Sequence, residues 1–256
     1  INHFESLFSI IYFLPEMERL FVSSSSNRRN FLDRLIFTFN KNYNSIINSY
    51  KKSIQERQFL LKAQTYDENW IDNLENRISH FGLEIYKYRL DHVNNINKLL
   101  KNLDILKNKS NNFFLQINDK FLDKFPNVYN EQEIFLEELR KNRKNDFFAG
   151  GCTIGPHRSD LSGYNIDNSL NINQYSTGQQ KTVILLIIIA QCKYLIDCLS
   201  LKPIILLDEV CSHLDYVNRE LLLYLIDNLS AQVFMTGTEE SFFSFLSTKA
   251  NYCNIT

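Results

Sequence analysis

Two stretches decide the fold of this chain: Ser176-Thr177-Gly178-Gln179-Gln180-Lys181 and Pro203-Ile204-Ile205-Leu206-Leu207-Asp208-Glu209. In the second stretch, four aliphatic residues lead directly into two acids. Such a run is typical of a fully buried parallel strand whose carboxyl end opens onto a site. We therefore predict a strand over 203 to 208 with the two acids at its carboxyl end.

Paired acids at such a position have a chemical use. Buried carboxylates are destabilising unless a cation or hydrogen bonds compensate them, and Mg²⁺ bound to phosphates is a common compensation. Asp208 would then serve a magnesium ion through water, and Glu209 would orient or deprotonate an attacking water. The alternative is that the acids begin the next helix, where the helix dipole favours them.

The first stretch predicts the start of a helix. Residues 179 to 194 contain no Gly or Pro, and residues 183 to 190 are all apolar, which indicates a buried helix. The amides at the amino end of this helix would form an anion site. The alternative is that Ser176 is an ordinary N-cap. The order of helix start, buried helix and strand with two acids favours phosphate, because ABC-type ATPases show that order.

Five segments extend the likeness along nearly the whole chain. They resemble motifs of the RecF family of bacterial recombination mediators: residues 176–182, 204–215, 232–239 and 155–161, and near the amino end 13–16 followed by 26–33. The resemblance implies an ATP-dependent DNA-binding protein of recombinational repair and replication. It also implies binding of ATP and Mg²⁺, an ATP-dependent homodimer, contact with single-stranded and junction DNA, and recombination mediator proteins as partners.

The resemblance also implies residue roles. The helix start would contact the terminal phosphate held by the other subunit, through Ser176, Thr177, Gly178 and Gln179. Asp215 matches the D-loop acid near the dimer seam. Thr236 to Thr238 occupies the place of a switch histidine in many ABC ATPases, and Gly237 departs from the threonines that the family tends to have.

Clusters of basic residues are the candidates for DNA contact. The formal net charge is -1, so any DNA binding depends on local patches. The candidates are Arg28, Arg29, Arg140, Lys141, Arg143, Lys144 and Arg158. For residues 140 to 144 we favour a solvated helix end over a phosphate grip, because such runs are common there.

A P-loop, Gly-x-x-x-x-Gly-Lys-Ser/Thr, does not occur in the sequence. Gly150 and Gly155 have the right separation, but Pro156 and His157 follow them. In the family the P-loop precedes the segment at 13 to 16. We expect the chain to be a carboxyl-terminal fragment with negligible ATPase activity of its own, and poor solubility from unpaired sheet edges.

Composition favours a cytoplasmic protein without a membrane anchor. The 256 residues are 44% hydrophobic, and the longest strictly apolar run is far shorter than a membrane span. The amino end lacks the basic start of a signal peptide. The five cysteines include no Cys-x-x-Cys pair, which argues against a disulfide framework and against a zinc site.

The predicted class is α/β: a partial ABC-type ATPase head, with a mixed, partly parallel sheet, plus an α-helical lobe. Residues 1–22 would be a residual part of the ATPase lobe, with an orphan strand at 7–14. Residues 23–145 would form the helical lobe, with two long antiparallel helices joined near 64–69, and residues 146–256 the ATPase lobe.

Two other classes compete with this interpretation. A transporter-type ATPase should have a switch histidine near Thr236, and an SMC-type ATPase should have hundreds of heptad residues between its lobes; neither feature is present. A noncatalytic fragment or interaction module stays open as an alternative, because the phosphate cradle is missing from the sequence.

Overall fold

The computed structural model describes residues 9–63, 67–102, 112–126, 132–212, 214–246 and 250–253. The chain divides into two compact units. The first, which we call the sheet unit, comprises residues 1–22, 96–114 and 164–256. The second, the helical unit, comprises residues 23–95 and 115–163. The division at 22 and 145 stays a prediction about domains; by contacts, residues 146–163 lie with the helices.

The described elements are short strands between helices of very different length. In chain order they are β1 (Ser9–Phe13), a 3-10 segment (Pro15–Val22), α1 (Ser25–Phe37), α2 (Tyr43–Ala63), α3 (Glu68–Asn102), β2 (Phe113–Asn118), α4 (Lys120–Lys124), α5 (Gln132–Ala149), β3 (Asp160–Asn165), a 3-10 turn (Ile172–Gln174), α6 (Thr177–Lys193), a π turn (Tyr194–Cys198), β4 (Pro203–Leu207), α7 (Tyr216–Asp227), β5 (Gln232–Met235) and a 3-10 segment (Glu240–Leu246).

The sheet of the sheet unit has three parallel strands in the order β1-β4-β5. Tyr12 pairs with Leu206, and Leu206 pairs with Phe234. The predicted strand at 203 to 208 is therefore confirmed. The orphan strand near the amino end is a wrong prediction, because β1 pairs along its whole length with β4.

The prediction that β4 is fully buried is also wrong. Its burial alternates, with Ile205 and Leu207 buried while Leu206 is 39% exposed. Ile10 and Phe234 on the same face of the sheet are 48% and 51% exposed. The inner face of the sheet is covered, whereas its outer face is accessible in the described part of the chain.

Helix α6 covers the inner face, as its apolar sequence predicts. Every residue from Gln180 to Cys192 is buried. A capping box fixes its start: the Ser176 hydroxyl accepts from the Gln179 amide, and the Gln179 side chain accepts from the Ser176 amide. The helix packs against β1 and against the segment Pro15–Val22.

The helical unit is built on an antiparallel pair of long helices, α2 and α3. Arg57 pairs with Glu75, and Tyr43 lies against Tyr88 with ring centroids 5.5 Å apart. Position 43 thus faces 88 while position 57 faces 75, so the helices run in opposite directions. One detail differs from the prediction: the first helix is broken between Phe37 and Tyr43, where the backbone turns.

A buried ionic cluster joins α2, α3 and α5. Arg57 is 1% exposed and bonds Glu75, Asp146 and the Leu139 carbonyl at 2.6 to 2.8 Å. Removal of one partner from such a cluster typically costs about 3 to 5 kcal/mol, because a charge is left buried and unpaired. The cluster therefore fixes α5 to the helix pair.

After residue 110, β2 pairs with β3 in a two-stranded sheet. Helix α5 lies between these two strands in the chain and ends at Ala149. Residues 250–253 form no strand; residues 254–256 lie outside the described part of the chain. Among the described residues, no helix is long and apolar enough to cross a membrane.

Candidate functional site

The turn that follows β4 has an unusual backbone. Glu209 has φ +44°, in the left-handed region that non-glycine residues rarely occupy. Such a conformation costs on the order of 1 to 3 kcal/mol and persists only where the surroundings hold it. The Asp208 amide donates to the Phe13 carbonyl at 3.0 Å, which continues the sheet pairing up to the turn.

Thr236, directly after β5, holds this turn from one side. Its hydroxyl accepts from the Glu209 amide at 3.0 Å and donates to the Asp208 carboxylate. Its own amide donates to the Leu207 carbonyl at 3.0 Å. Thr236 therefore orients one acid and the backbone of the other.

The two acids are more accessible than the sequence predicts. Asp208 is half-buried and Glu209 is exposed, so their expected burial is wrong. The turn carries the chain out of the sheet immediately after Leu207, which is why the acids escape the core. Within the described residues, the Glu209 carboxylate has no hydrogen-bond partner, so its oxygens are available to accept hydrogen bonds from water.

Lys181 holds the same turn from the other side. Its side chain has no exposed surface, and its ammonium lies 2.6 Å from the Glu18 carboxylate. It also donates to the carbonyls of Glu209 and Ser212, at 3.1 and 2.6 Å, and to the Ser212 hydroxyl at 3.0 Å. Sequence reasoning quoted Lys181 but assigned it no role. A lysine two residues before a long apolar run of the same helix was the available signal, since a buried cation requires partners.

The helix start at Ser176 to Gln179 is exposed apart from the half-buried Gly178. The N-cap interpretation of Ser176 is confirmed by the capping box. The box engages the Gln179 amide and leaves the amides of Thr177 and Gly178 directed out of the first turn, where the helix dipole favours an anion. Contact of these residues with a phosphate stays a prediction.

Asp215 is the N-cap of α7. Its carboxylate accepts from the amide and the side-chain nitrogen of Asn218, at 2.8 and 3.0 Å, and the residue is exposed. Its position near a dimer seam stays a prediction.

The segment Gly155 to Arg158 is a loop that packs on α2, not a phosphate loop. Gly155 has φ +118°, and a Cβ there would lie 2.3 Å from the Tyr50 hydroxyl. His157 joins that hydroxyl through Nδ1, at 2.8 Å, to the Cys152 carbonyl through Nε2, at 2.8 Å. Burial lowers the pKa of His157 to about 4, and the hydrogen bond to the Cys152 carbonyl, the next largest cause, acts in the opposite direction. At pH 7 His157 is therefore a neutral residue that connects Tyr50 to the loop.

The basic residues proposed for DNA contact differ in how many of their nitrogens already bond to the protein. Arg28 is held by Asp160 through two bonds at 2.7 and 2.8 Å, and Arg29 donates to the Ser159 carbonyl. Arg158 is exposed and uses its Nε on the Cys152 carbonyl at 2.9 Å.

Residues 140 to 144 lie on α5 and are mostly paired with acids. Arg140 bonds Asp72, Lys141 bonds Glu137 and Glu138, and Arg143 bonds acids of α3. Lys144 is exposed and has no ion pair with the residues that the structure describes. The preferred interpretation, a solvated helix end, is wrong about the position, because residues 140 to 144 lie inside α5, which ends at Ala149 and has no basic residue in its last turn. DNA contact by any of these residues stays a prediction.

Comparisons with known proteins agree with this fold. Residues 10–236 match the family described as "AAA domain, putative AbiEii toxin, Type IV TA system". A solved structure titled "Structure of the recombination mediator protein RecF-ATP in RecFOR pathway" superposes with a TM-score of 0.71 at 24% identity, over 91% of this chain and 63% of that one. The fold and the match define an ABC-type ATPase head.

Curated relatives identify the family. The chain is 30% identical to the "DNA replication and repair protein RecF" of Rickettsia massiliae (strain Mtu5), over 97% of this chain and 69% of that protein. It is also 30% identical to the protein of that name from Brucella abortus (strain 2308), over 96% of this chain, and spans 64% of that relative's length. The chain belongs to the RecF family.

The lowered pKa of His157 predicts a pH dependence of stability. Because the folded-state pKa lies below the ordinary value of 6.5, its stabilising effect is complete above pH 6.5 and is lost as pH falls towards 4. We expect a loss of up to about 3 kcal/mol across this window. Urea unfolding at a series of pH values should show a shallower decline for His157→Gln. Equal slopes for the two proteins would contradict the connecting role of His157; His80→Gln, at an exposed histidine, is the control.

Proposed function

We propose that the protein acts as a RecF-type ATPase of recombinational DNA repair and replication. In this proposal it binds ATP with Mg²⁺, closes as a dimer on the nucleotide, binds single-strand to double-strand DNA junctions, and helps to load a recombinase together with mediator proteins. The observation that carries the proposal is the left-handed turn at Glu209, which presents, beside Asp208 at the end of a parallel strand, a carboxylate without a partner among the residues that the structure describes.

Oxygen ligands and an accessible base are the requirements of ATP hydrolysis at such a strand end. Asp208, oriented by Thr236, would hold the water shell of the magnesium ion. Glu209 would accept the proton of the attacking water, or orient that water, as its free carboxylate allows. The chemistry of these two side chains supports the proposal; a carboxylate already committed to a salt bridge would argue against it.

The exposed helix start supports the dimeric part of the proposal. Ser176, Thr177 and Gly178 would face the terminal phosphate of a nucleotide held by the other protomer. Asp215 would lie near the seam. ATP would then join two protomers and hydrolysis would release them, so turnover is expected to be slow.

The sequence supports a second candidate for the chain in isolation. No Gly-x-x-x-x-Gly-Lys-Ser/Thr occurs in its 256 residues. Without that cradle, residues 1–256 alone would serve as a noncatalytic interaction module with negligible ATPase activity. Measurable hydrolysis by this chain that Glu209→Gln abolishes would refute the second candidate.

Glu209→Gln tests the ATPase proposal in the complete gene product. The amide still fits the turn but cannot take a proton from water, so ATP should remain bound and the dimer should accumulate. Light scattering with ATP and Mg²⁺ should give about twice the monomer mass for the variant, with hydrolysis reduced at least ~100-fold. Glu133→Gln, at an exposed position of α5, is the matched control. A Glu209→Gln protein that stays monomeric with ATP would count against the composite site.

DNA contact is proposed at the cations that the fold leaves free. Among the seven candidates, Lys144 has no acidic partner in the described part of the chain, and Arg158 uses one of its three nitrogens. Arg28 and Arg143 are held by carboxylates and would have to break those bonds to reach a phosphate. We therefore place the phosphate contacts of the helical unit at Lys144 and Arg158.

A salt titration of DNA binding separates free from paired cations. Each lost phosphate contact should lower the slope of log K against log salt by about 0.7 to 0.9. We expect that loss for Lys144→Gln and for Arg158→Gln, measured by fluorescence anisotropy on a junction oligonucleotide. Lys141→Gln lies on the same helix and is paired, so its slope should match the wild type. Equal slopes for all three variants would refute the assignment.

A further inference from the structure

The Lys181 ammonium is enclosed on every side. Its partners are a carboxylate, two backbone carbonyls and a hydroxyl, all within 3.1 Å, and its nitrogen lies 5.4 Å from the centre of the Phe13 ring. Burial of an ammonium is strongly unfavourable unless all three hydrogens find acceptors. This site supplies more acceptors than the ammonium has hydrogens.

Most of these acceptors belong to the turn of Glu209. Ser212 donates to the Glu209 carbonyl both from its hydroxyl, at 2.7 Å, and from its amide, at 3.2 Å. Because the Ser212 hydroxyl uses its hydrogen in this way, it accepts from Lys181. The carbonyl of Glu209 is therefore held by three donors, while Thr236 holds its amide.

This arrangement explains how the left-handed backbone of Glu209 persists. With both ends of the residue fixed, its carboxylate is directed to solvent and not into the sheet. Loss of the ammonium would remove one donor from the Glu209 carbonyl. It would also remove the hydrogen bonds that hold the carbonyl and the hydroxyl of Ser212. The turn could then relax towards an ordinary conformation, which would move the carboxylate.

We propose that Lys181 is a positioning residue, which holds the Glu209–Ser212 turn in the conformation that hydrolysis requires and ties it to the phosphate-facing helix start. This inference rests on the proposed function. Lys181 stands four residues after Thr177, about 6 Å along the helix axis. A displacement of α6 would therefore move the backbone of Glu209. The ion pair with Glu18 also connects Lys181 to the segment Pro15–Val22, which follows β1.

The competing explanation is that Lys181 only neutralises Glu18. Three variants separate the two: Lys181→Met, the double variant Lys181→Met with Glu18→Gln, and the control Leu195→Ala. Methionine keeps the bulk and removes the donors, and glutamine removes the stranded carboxylate charge. Leu195 is fully buried in the π turn after α6, so its truncation destabilises the unit without a bond to the turn.

The primary measurement is hydrogen exchange of the Ser212 amide by mass spectrometry, with thermal unfolding in parallel. We expect the double variant to regain thermal stability relative to Lys181→Met. Both should nevertheless exchange this amide at least about threefold faster than Leu195→Ala, because local opening is independent of global stability. If the double variant regains protection as well as stability, or Leu195→Ala loses as much protection, the positioning role is refuted.

Hydrolysis by the complete gene product gives the second measurement. Both Lys181 variants should lose about tenfold or more in kcat, with the KM for ATP changed less than about threefold, because the chemical step and not binding depends on the carboxylate. Lys181→Arg, which keeps charge and donors, should recover part of kcat. Full activity of the double variant would refute the proposal. A wild type without hydrolysis would refute the proposed function, while the exchange data would still decide the role of Lys181.

Discussion

One ammonium group organises the site-bearing part of the sheet unit. Lys181 of α6 binds Glu18 after β1 and the backbone of the turn after β4. Since a buried lysine is stable only with its partners in place, these three segments must assemble together. Thr236 adds the end of β5 to the same turn. This assembly sets the position of the Glu209 carboxylate. The backbone of Glu209 is strained and is held from two sides, and its side chain is exposed to solvent.

The sequence predicts the residue types of the site better than their environment. The strand end with Asp208 and Glu209, and the capped helix start at Ser176, are where the patterns indicate. The predicted burial of the two acids is wrong, because a run of aliphatic residues cannot reveal that one face of the sheet is accessible. Lys181 and Thr236 have partners far away in sequence, so local patterns cannot show which backbone groups they bind.

The fold was predictable where hydrophobic periodicity is long. The antiparallel pair α2 and α3 has such periodicity, and α6 was predictable from its unbroken apolar run, whereas the break between Phe37 and Tyr43 interrupts a pattern that continues in register. β2 and β3 were missed because each is only six residues long, and β2 lies in a stretch rich in Asn and Lys. β1 was taken as an orphan because pairing with β4 joins residues almost two hundred positions apart along the chain. The resemblance to the RecF family, in contrast, was visible in motifs that are each only a few residues long, and the curated relatives confirm it.

The most direct test is a crystal structure of the complete gene product with Mg²⁺ and a slowly hydrolysed ATP analogue. We predict that Glu209 keeps its left-handed backbone, with its carboxylate at a water next to the terminal phosphate and Asp208 at the metal's water shell. We also predict that Ser176 to Gly178 of a second copy contact that phosphate. Acidic side chains that point away from the nucleotide, or a Glu209 turn that relaxes when nucleotide binds, would contradict it.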